Sequence, residues 1–232
     1  MDFQKGEIIA IDKPYEWTSF GVVSRIRGML SERLQSKIKV GHAGTLDPLA
    51  TGVILLCTGK ATKRIEELQA GTKEYIATLK LGATTASFDM EHPEDAHFPT
   101  EHITRSLIES ILPDFIGEIE QIPPVYSACK IEGTHAYHLA RQGKEVTLKP
   151  KKLVIDEIEI QYFEMPLLTL RIVCSKGTYI RALARDIGQA LHSGAYLTAL
   201  RRTRIGKYRA EDCLQLEDVP KWLDEIDIKI EK

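Results

Sequence analysis

The sequence predicts a sheet protein of mixed class, α/β or α+β, rather than a doubly wound parallel one. Two observations predict it. Helical and strand periodicities alternate irregularly along the 232 residues, with hairpin-like pairs among them. No internal repeat, low-complexity run or linker divides the chain, and this length buries one core comfortably.

The elements follow in order. Ile8-Ile9-Ala10-Ile11 reads as a short strand ended by Lys13-Pro14. A helix comes next, capped by Thr18 or Ser19, with Val22, Val23, Ile26, Met29 and Leu30 on one face; no acidic residue completes a capping box. Residues 41–52 are rich in glycine around Pro48, and the expectation there is an ordered loop without regular structure. The run Val53-Ile54-Leu55-Leu56-Cys57 reads as a buried strand. A short helix carrying Ile65 and Leu68 ends at Gly71. Tyr75, Ala77, Leu79 and Leu81 then alternate with Ile76, Thr78 and Lys80, the period of a strand. The acidic stretch 86–101 reads as an exposed loop or insertion, followed by a helix with Ile103, Leu107, Ile108, Ile111 and Leu112. Pro123-Pro124 opens a loop-and-strand unit reaching Lys130, and 135–142 reads as a helix closed by Gly143. Strands are expected at 153–160 and 168–174. The best helix begins after Thr178, with Ile180, Leu183, Ala184, Ile187 and Leu191 on one face and Gly194 past its end.

Composition narrows the class. Hydrophobic residues at 43% and charged residues at 28% are ordinary for a soluble globule. No apolar run reaches membrane-spanning length, and no signal-peptide core follows Met1. Cys57, Cys129, Cys174 and Cys213 are too far apart in sequence for a zinc knuckle or redox dithiol; they read as reduced buried thiols of a cytoplasmic protein. Gly59-Lys60 fails as a phosphate loop because Ile54 and Ala61 stand where glycine and serine or threonine are needed. His92, His97 and His102 recur at a step that fits no metal-ligand pattern, and His135 and His138 lack a third ligand. No metal is expected.

Charge is unevenly spread. The whole chain carries −2, which alone argues against a nucleic-acid partner. Yet residues 86–101 hold five acids and no lysine or arginine, and residues 211–232 hold eight acids against three lysines. The remaining body is therefore basic, with clusters at Arg201, Arg202, Arg204, Lys207 and Arg209 and at Lys149, Lys151 and Lys152. Such a body suits a polyanion.

The chemistry centres on Gly41-His42-Ala43-Gly44-Thr45-Leu46-Asp47-Pro48-Leu49-Ala50-Thr51-Gly52. Pro48 fixes its own φ and biases Asp47 towards an extended conformation. Asp47 is the one carboxyl group of the stretch, surrounded by Leu46, Pro48 and Leu49. A carboxylate against apolar walls is costly unless a cation pairs with it, which makes Asp47 a candidate catalytic group.

This stretch resembles the catalytic motif of the TruB-type tRNA pseudouridine synthases. The resemblance extends to Lys13-Pro14 with Trp17-Thr18-Ser19, and to Lys73-Glu74-Tyr75. It continues through Gln121-Ile122-Pro123-Pro124-Val125-Tyr126-Ser127-Ala128-Cys129-Lys130, then Gly133, Tyr137 and Ala140-Arg141-Gln142-Gly143. Cys174-Ser175-Lys176-Gly177-Thr178-Tyr179-Ile180-Arg181 and Leu200-Arg201-Arg202 complete it. The blocks agree in order from about residue 8 to about residue 208.

The resemblance implies an α+β pseudouridine-synthase catalytic fold, a bent, mainly antiparallel mixed sheet flanked by helices and loops. It implies isomerisation of a uridine in the T-loop of tRNA, at position 55, by a monomer without cofactor or metal. Asp47 matches the essential aspartate and Arg181 the arginine that pairs with it. Tyr75 matches the ring against the target base, Tyr179 a second pocket tyrosine and Leu200 an apolar pocket wall. His42 matches the histidine that meets the RNA where the base was stacked. Lys13, Lys130, Arg201, Arg202 and the rest of the basic run are expected at phosphates. Two positions depart from the pattern: Ala43 replaces a threonine, and His92 stands in place of a glycine. The expected organisation is a catalytic domain over 1–210 and a short acidic tail, 211–232, docked through Trp222, Leu223, Ile226 and Ile228, with no room for a full PUA domain.

Overall fold

The structure, a computed structural model, describes residues 1–127, 130–131, 134–135 and 148–229. In chain order the elements are β1 (Ile8–Lys13), α1 (Ser19–Leu34), β2 (Val40–Ala43), β3 (Ala50–Thr58), α2 (Ile65–Ala70), β4 (Lys73–Leu81), β5 (Ala83–Thr85), β6 (Glu94–His97), α3 (Arg105–Ile111) and β7 (Gly117–Gln121). Then come β8 (Lys130–Ile131), β9 (Thr134–His135), β10 (Lys151–Glu164), β11 (Leu167–Cys174), α4 (Ile180–Ala190), β12 (Ala195–Ile205), β13 (Tyr208–Arg209), β14 (Leu214–Gln215) and α5 (Val219–Glu225). The class is α+β, with a mainly antiparallel mixed sheet; β1 and β14 supply a parallel pair. The expected helix at 135–142, Cys129, Gly133, Tyr137 and residues 140–143 lie outside the described residues, apart from the main chain of His135 in β9. No helix among the described residues is long and apolar enough to cross a membrane.

The chain divides into two units, Met1–Tyr75 with Arg201–Lys232, and Ile76–Leu200. In the first unit β1 runs antiparallel to β3, from Ile8 opposite Cys57 to Lys13 opposite Gly52. On one face of this pair Ile9, Ile11, Ile54 and Leu56 meet Val22, Val23, Ile26 and Leu30 of α1. On the other, Val53 and Leu55 meet Ala43 and Ile205, with Ile8, Ala10, Ile65 and Leu68 against them. Both faces of β3 are thus covered, which explains its unbroken apolar run. Thr18 caps α1, its hydroxyl accepting from Gly21 N–H at 2.9 Å. Residues 211–229 belong to the same core: β14 pairs with β1, while Leu216, Val219 and Leu223 are buried and Trp222 meets Phe3 edge to face.

In the second unit β10 and β11 form a long antiparallel hairpin with two register shifts, and β7 pairs with the other edge of β10. Ile180, Leu183, Ala184 and Ile187 give α4 its buried face, as the periodicity predicts.

The main departures from expectation lie in three stretches. The loop at 41–52 shrinks to residues 44–49, because β2 and β3 reach in from both sides. Gly52 lies in a strand at φ +101°, where a Cβ would stand 2.1 Å from Arg202 O; this glycine serves a close backbone approach rather than a turn. The acidic stretch 86–101 is not wholly exposed: Ser87 and Asp89 are buried, and β6 pairs with β5. The strand β12 is absent from the sequence reading, since its second half presents as an arginine run.

Leu223→Ala is expected to cost roughly 2–5 kcal/mol in denaturant unfolding, as for other buried leucines. Exposed Glu225→Ala on the same helix is expected to stay within about 0.5 kcal/mol of wild type. Equal small losses would show that α5 adds little to the core.

Candidate active site

In the first unit Asp47 sits half-buried in the 44–49 loop, which turns through a hydrogen bond from Ala50 N to Asp47 O at 3.0 Å. Three buried side chains hold this loop by its main chain. Lys13, 0% exposed, donates from Nζ to Pro48 O at 3.1 Å and also to Pro14 O and Trp17 O. Arg202, 1% exposed, donates to Gly44 O at 3.0 Å, Thr45 O at 3.3 Å and Val53 O at 2.8 Å. The Ser19 hydroxyl accepts from Leu46 N and donates to Leu46 O, both at 2.9 Å. Gly44, at φ +84°, brings the loop past the Arg202 guanidinium, where a Cβ would lie 3.5 Å from Nη1.

Burial pulls the Lys13 ammonium down to about 8, against the attraction of the Asp47 carboxylate and with a smaller repulsion from Arg202. His42, half-buried in β2, is lowered chiefly by burial and then by Arg202; the Gly44 main chain opposes this. Tyr75 is buried at the start of β4. Arg201 makes a bidentate pair with Asp12, at 3.0 and 2.7 Å, and Gln215 donates to the same carboxylate.

These positions correct the sequence expectation for two cations. Lys13 and Arg202 are turned inward onto carbonyl oxygens, so neither presents its charge to a phosphate. A buried ammonium or guanidinium must have its N–H groups satisfied, and the loop carbonyls satisfy them. Arg201 keeps a partly exposed side chain, but Asp12 already matches its charge. The Lys130 side chain lies outside the described residues.

In the second unit Arg181 stands in the first turn of α4, buried, and donates to Ser87 O at 3.1 Å and Tyr126 O at 2.9 Å. Asp89 faces it, with Oδ2 3.6 Å from Nη1. Asp89 is fixed in turn by the Ser87 hydroxyl and by Glu91 N–H at 2.9 Å, both donating to Oδ1. Sequence reading missed Asp89, because it lies among acids that look solvated. Its flanking Ser87 and Thr85, which donate to its carboxylate or carbonyl, are the local signal for a turn built around it. Tyr179, half-buried, precedes α4 and donates its N–H to Gln121 Oε1 at 2.9 Å. Leu200 is half-buried in β12.

The first unit thus presents a carboxylate on a loop that cannot sag. The second presents a guanidinium held in one orientation by two carbonyls and a carboxylate. Both arrangements suit chemistry at a fixed point, where small misplacements are costly.

Arg202→Met removes the partner of three main-chain carbonyls, and the expected loss is roughly 3–5 kcal/mol of stability in chemical denaturation. Exposed Arg209→Met is expected to change it by less than about 0.5 kcal/mol. A small effect at position 202 would overturn the clamp.

Comparison with known proteins gives the family. Residues 31–180 match the TruB family pseudouridylate synthase N-terminal domain, and residues 181–229 match the tRNA pseudouridylate synthase B C-terminal domain. The chain is 64% identical to the tRNA pseudouridine synthase B of Phocaeicola vulgatus, over 99% of this chain and 98% of that one. It is 48% identical to the protein of the same name from Flavobacterium johnsoniae, over 93% and 95%. Among solved structures it resembles a chain of a Cbf5-Nop10-Gar1 complex, with 30% identity and a TM-score of 0.73 over 97% of this chain and 58% of that one. A chain of an H/ACA RNP bound to a substrate RNA containing 2'-deoxyuridine gives 28% identity and a TM-score of 0.70, over 97% and 57%. The chain belongs to the TruB family of pseudouridylate synthases.

Proposed function

We propose that this protein isomerises uridine to pseudouridine at position 55 in the T-loop of tRNA, with Asp47 as the catalytic carboxylate. The observation that carries the reading is the fixed Asp47 loop, held through Lys13, Ser19 and Arg202, in a chain whose near-full-length relatives are named tRNA pseudouridine synthase B. The reaction breaks the bond between N1 of the base and C1' of the sugar, turns the base, and joins C5 to C1'; the C5 proton leaves and N1 gains one. No electron is gained or lost, and the proposal invokes no cofactor and no metal. The nucleotide is flipped out of its stack for this, since a stacked base hides the atoms concerned.

The roles divide by chemistry. Asp47 supplies the ionised carboxylate at the reacting nucleotide. Arg181 supplies the guanidinium that favours its charged form. Tyr75 offers a face on which the target base stacks, Tyr179 a hydroxyl for hydrogen bonding, and Leu200 an apolar wall. His42 meets the RNA at the place the base has left. Lys130 and the exposed cations of the basic run serve phosphates, which position the RNA without selecting the base. The protein acts as a monomer in the cytoplasm, with 1–210 as the catalytic domain and 211–232 as a tail docked on it.

An unmodified tRNA transcript incubated with the folded protein is expected to gain pseudouridine in the T-loop. Asp47→Asn is expected to bind tRNA and form none. Absence of product from wild type would sink the enzymatic reading; full activity in the variant would sink the assignment of Asp47.

The Lys13 ammonium gives a pH signature. Above about 8 it becomes an amine with two N–H groups for three carbonyls. The value of kcat/KM is expected to fall as pH rises through that point, and Lys13→Met to lack this limb at a lower overall rate. The sign for stability is opposite. A folded value below the ordinary lysine range means that the unfolded chain holds the proton more tightly, so this group's contribution to stability rises from about pH 8 upward. Activity lost together with unfolding over that range would contradict the assignment.

A further inference from the structure

Three aromatic side chains near the Asp47 loop have no part in the proposed reaction. Tyr15 is 46% exposed, Trp17 37% and Phe20 64%, all within six residues of the connection from β1 into α1. Monomeric soluble proteins seldom leave such a group in water without a partner. The connection is tied to the loop twice: Lys13 Nζ bridges Trp17 O and Pro48 O, and the Ser19 hydroxyl grips the main chain of Leu46. The main chain that carries the rings therefore keeps a fixed relation to the carboxylate loop.

Their surroundings favour an anion bearing flat rings. The Trp17 ring lies over the first turn of α1, its Cε3 3.5 Å from where a Cβ on Gly21 would stand. Phe20 and Arg27 share one face of α1, with the Arg27 guanidinium 5.7 Å from the Phe20 ring centre. Arg25, elsewhere on α1, is exposed, and Glu16 is the one acid between Lys13 and Ser31. Aromatic faces with a neighbouring guanidinium are the pattern that holds unpaired bases of single-stranded RNA, each base on a ring and its phosphate near a cation.

We infer that Tyr15, Trp17 and Phe20 form a stacking platform for unpaired loop nucleotides of the substrate tRNA, next to the target uridine. The inference rests on the proposed function, and it adds a specificity element: a loop whose bases can splay is held, while a continuous duplex is not.

Trp17 and Trp222 are the two tryptophans, so Trp222→Phe leaves Trp17 as the sole reporter. Titrating that protein with unmodified tRNA transcript is expected to quench Trp17 emission saturably; a duplex of equal length is expected to quench it far less. Phe20→Ala and Tyr15→Ala are each expected to weaken tRNA binding by about 5- to 100-fold, seen in Kd and KM rather than in kcat. Tyr162→Ala, which removes an exposed ring from β10, is the control for exposure alone and is expected to bind as wild type. Normal isomerisation with no Trp17 response and normal binding by Phe20→Ala would overturn the platform and leave the proposed function standing. Failure of the folded wild type to isomerise any tRNA would overturn the proposed function itself. An emission change that follows protein concentration without RNA would assign the rings to self-association and overturn the platform.

Discussion

The first unit depends on one exchange: cations that cannot reach water are satisfied by main-chain carbonyls that lie mostly outside the strands. A six-residue turn between β2 and β3 leaves its main-chain oxygens without a ladder. Lys13 and Arg202 have lost their hydration. Each group on its own would be expensive, and together they fix the turn. This fixes Asp47 through the backbone on either side of it, with the residue itself half-buried. Stiffness comes from charge applied to peptide oxygens rather than from packing.

The same exchange changes what net charge means here. By residue count alone, the basic body offers its lysines and arginines to a polyanion. Yet Lys13 and Arg202 face inward, Arg201 is matched by Asp12, and Arg181 is held by Asp89 and two carbonyls. A cation's count in the sequence and its availability at the surface are separate quantities. The aromatic rings on the β1–α1 connection draw attention to the other half of RNA recognition, which no charge total records.

Much of the fold is legible in the sequence because most elements bury one face. The alternation from Tyr75 to Leu81 is the burial pattern of β4, and the spacing of Ile180, Leu183 and Ile187 is that of α4. Where both faces are covered, as in β3, the signal becomes an apolar run and still reads as a strand. β12 escapes notice because its inward residue at 202 is arginine, and the rule that arginine faces water fails where carbonyls are waiting for it. Asp47 stands out through its apolar neighbours. Asp89 does not, because its partner Arg181 is far away in sequence and its neighbours are acids. Chemistry carried by local company is visible in a sequence; chemistry carried by tertiary pairing is not.

The first unit is also split in the chain, with Met1–Tyr75 completed by Arg201–Lys232. During synthesis the Asp47 loop emerges before Arg202, its clamp, and before β14, the neighbour of β1. The intervening unit, Ile76–Leu200, is continuous and is made in full before them. A nascent chain that has not reached Arg202 therefore holds the 44–49 turn without the guanidinium that bonds Gly44 O and Thr45 O. The order of the segments thus sets the order of assembly: the second unit is complete before the first can close around its loop.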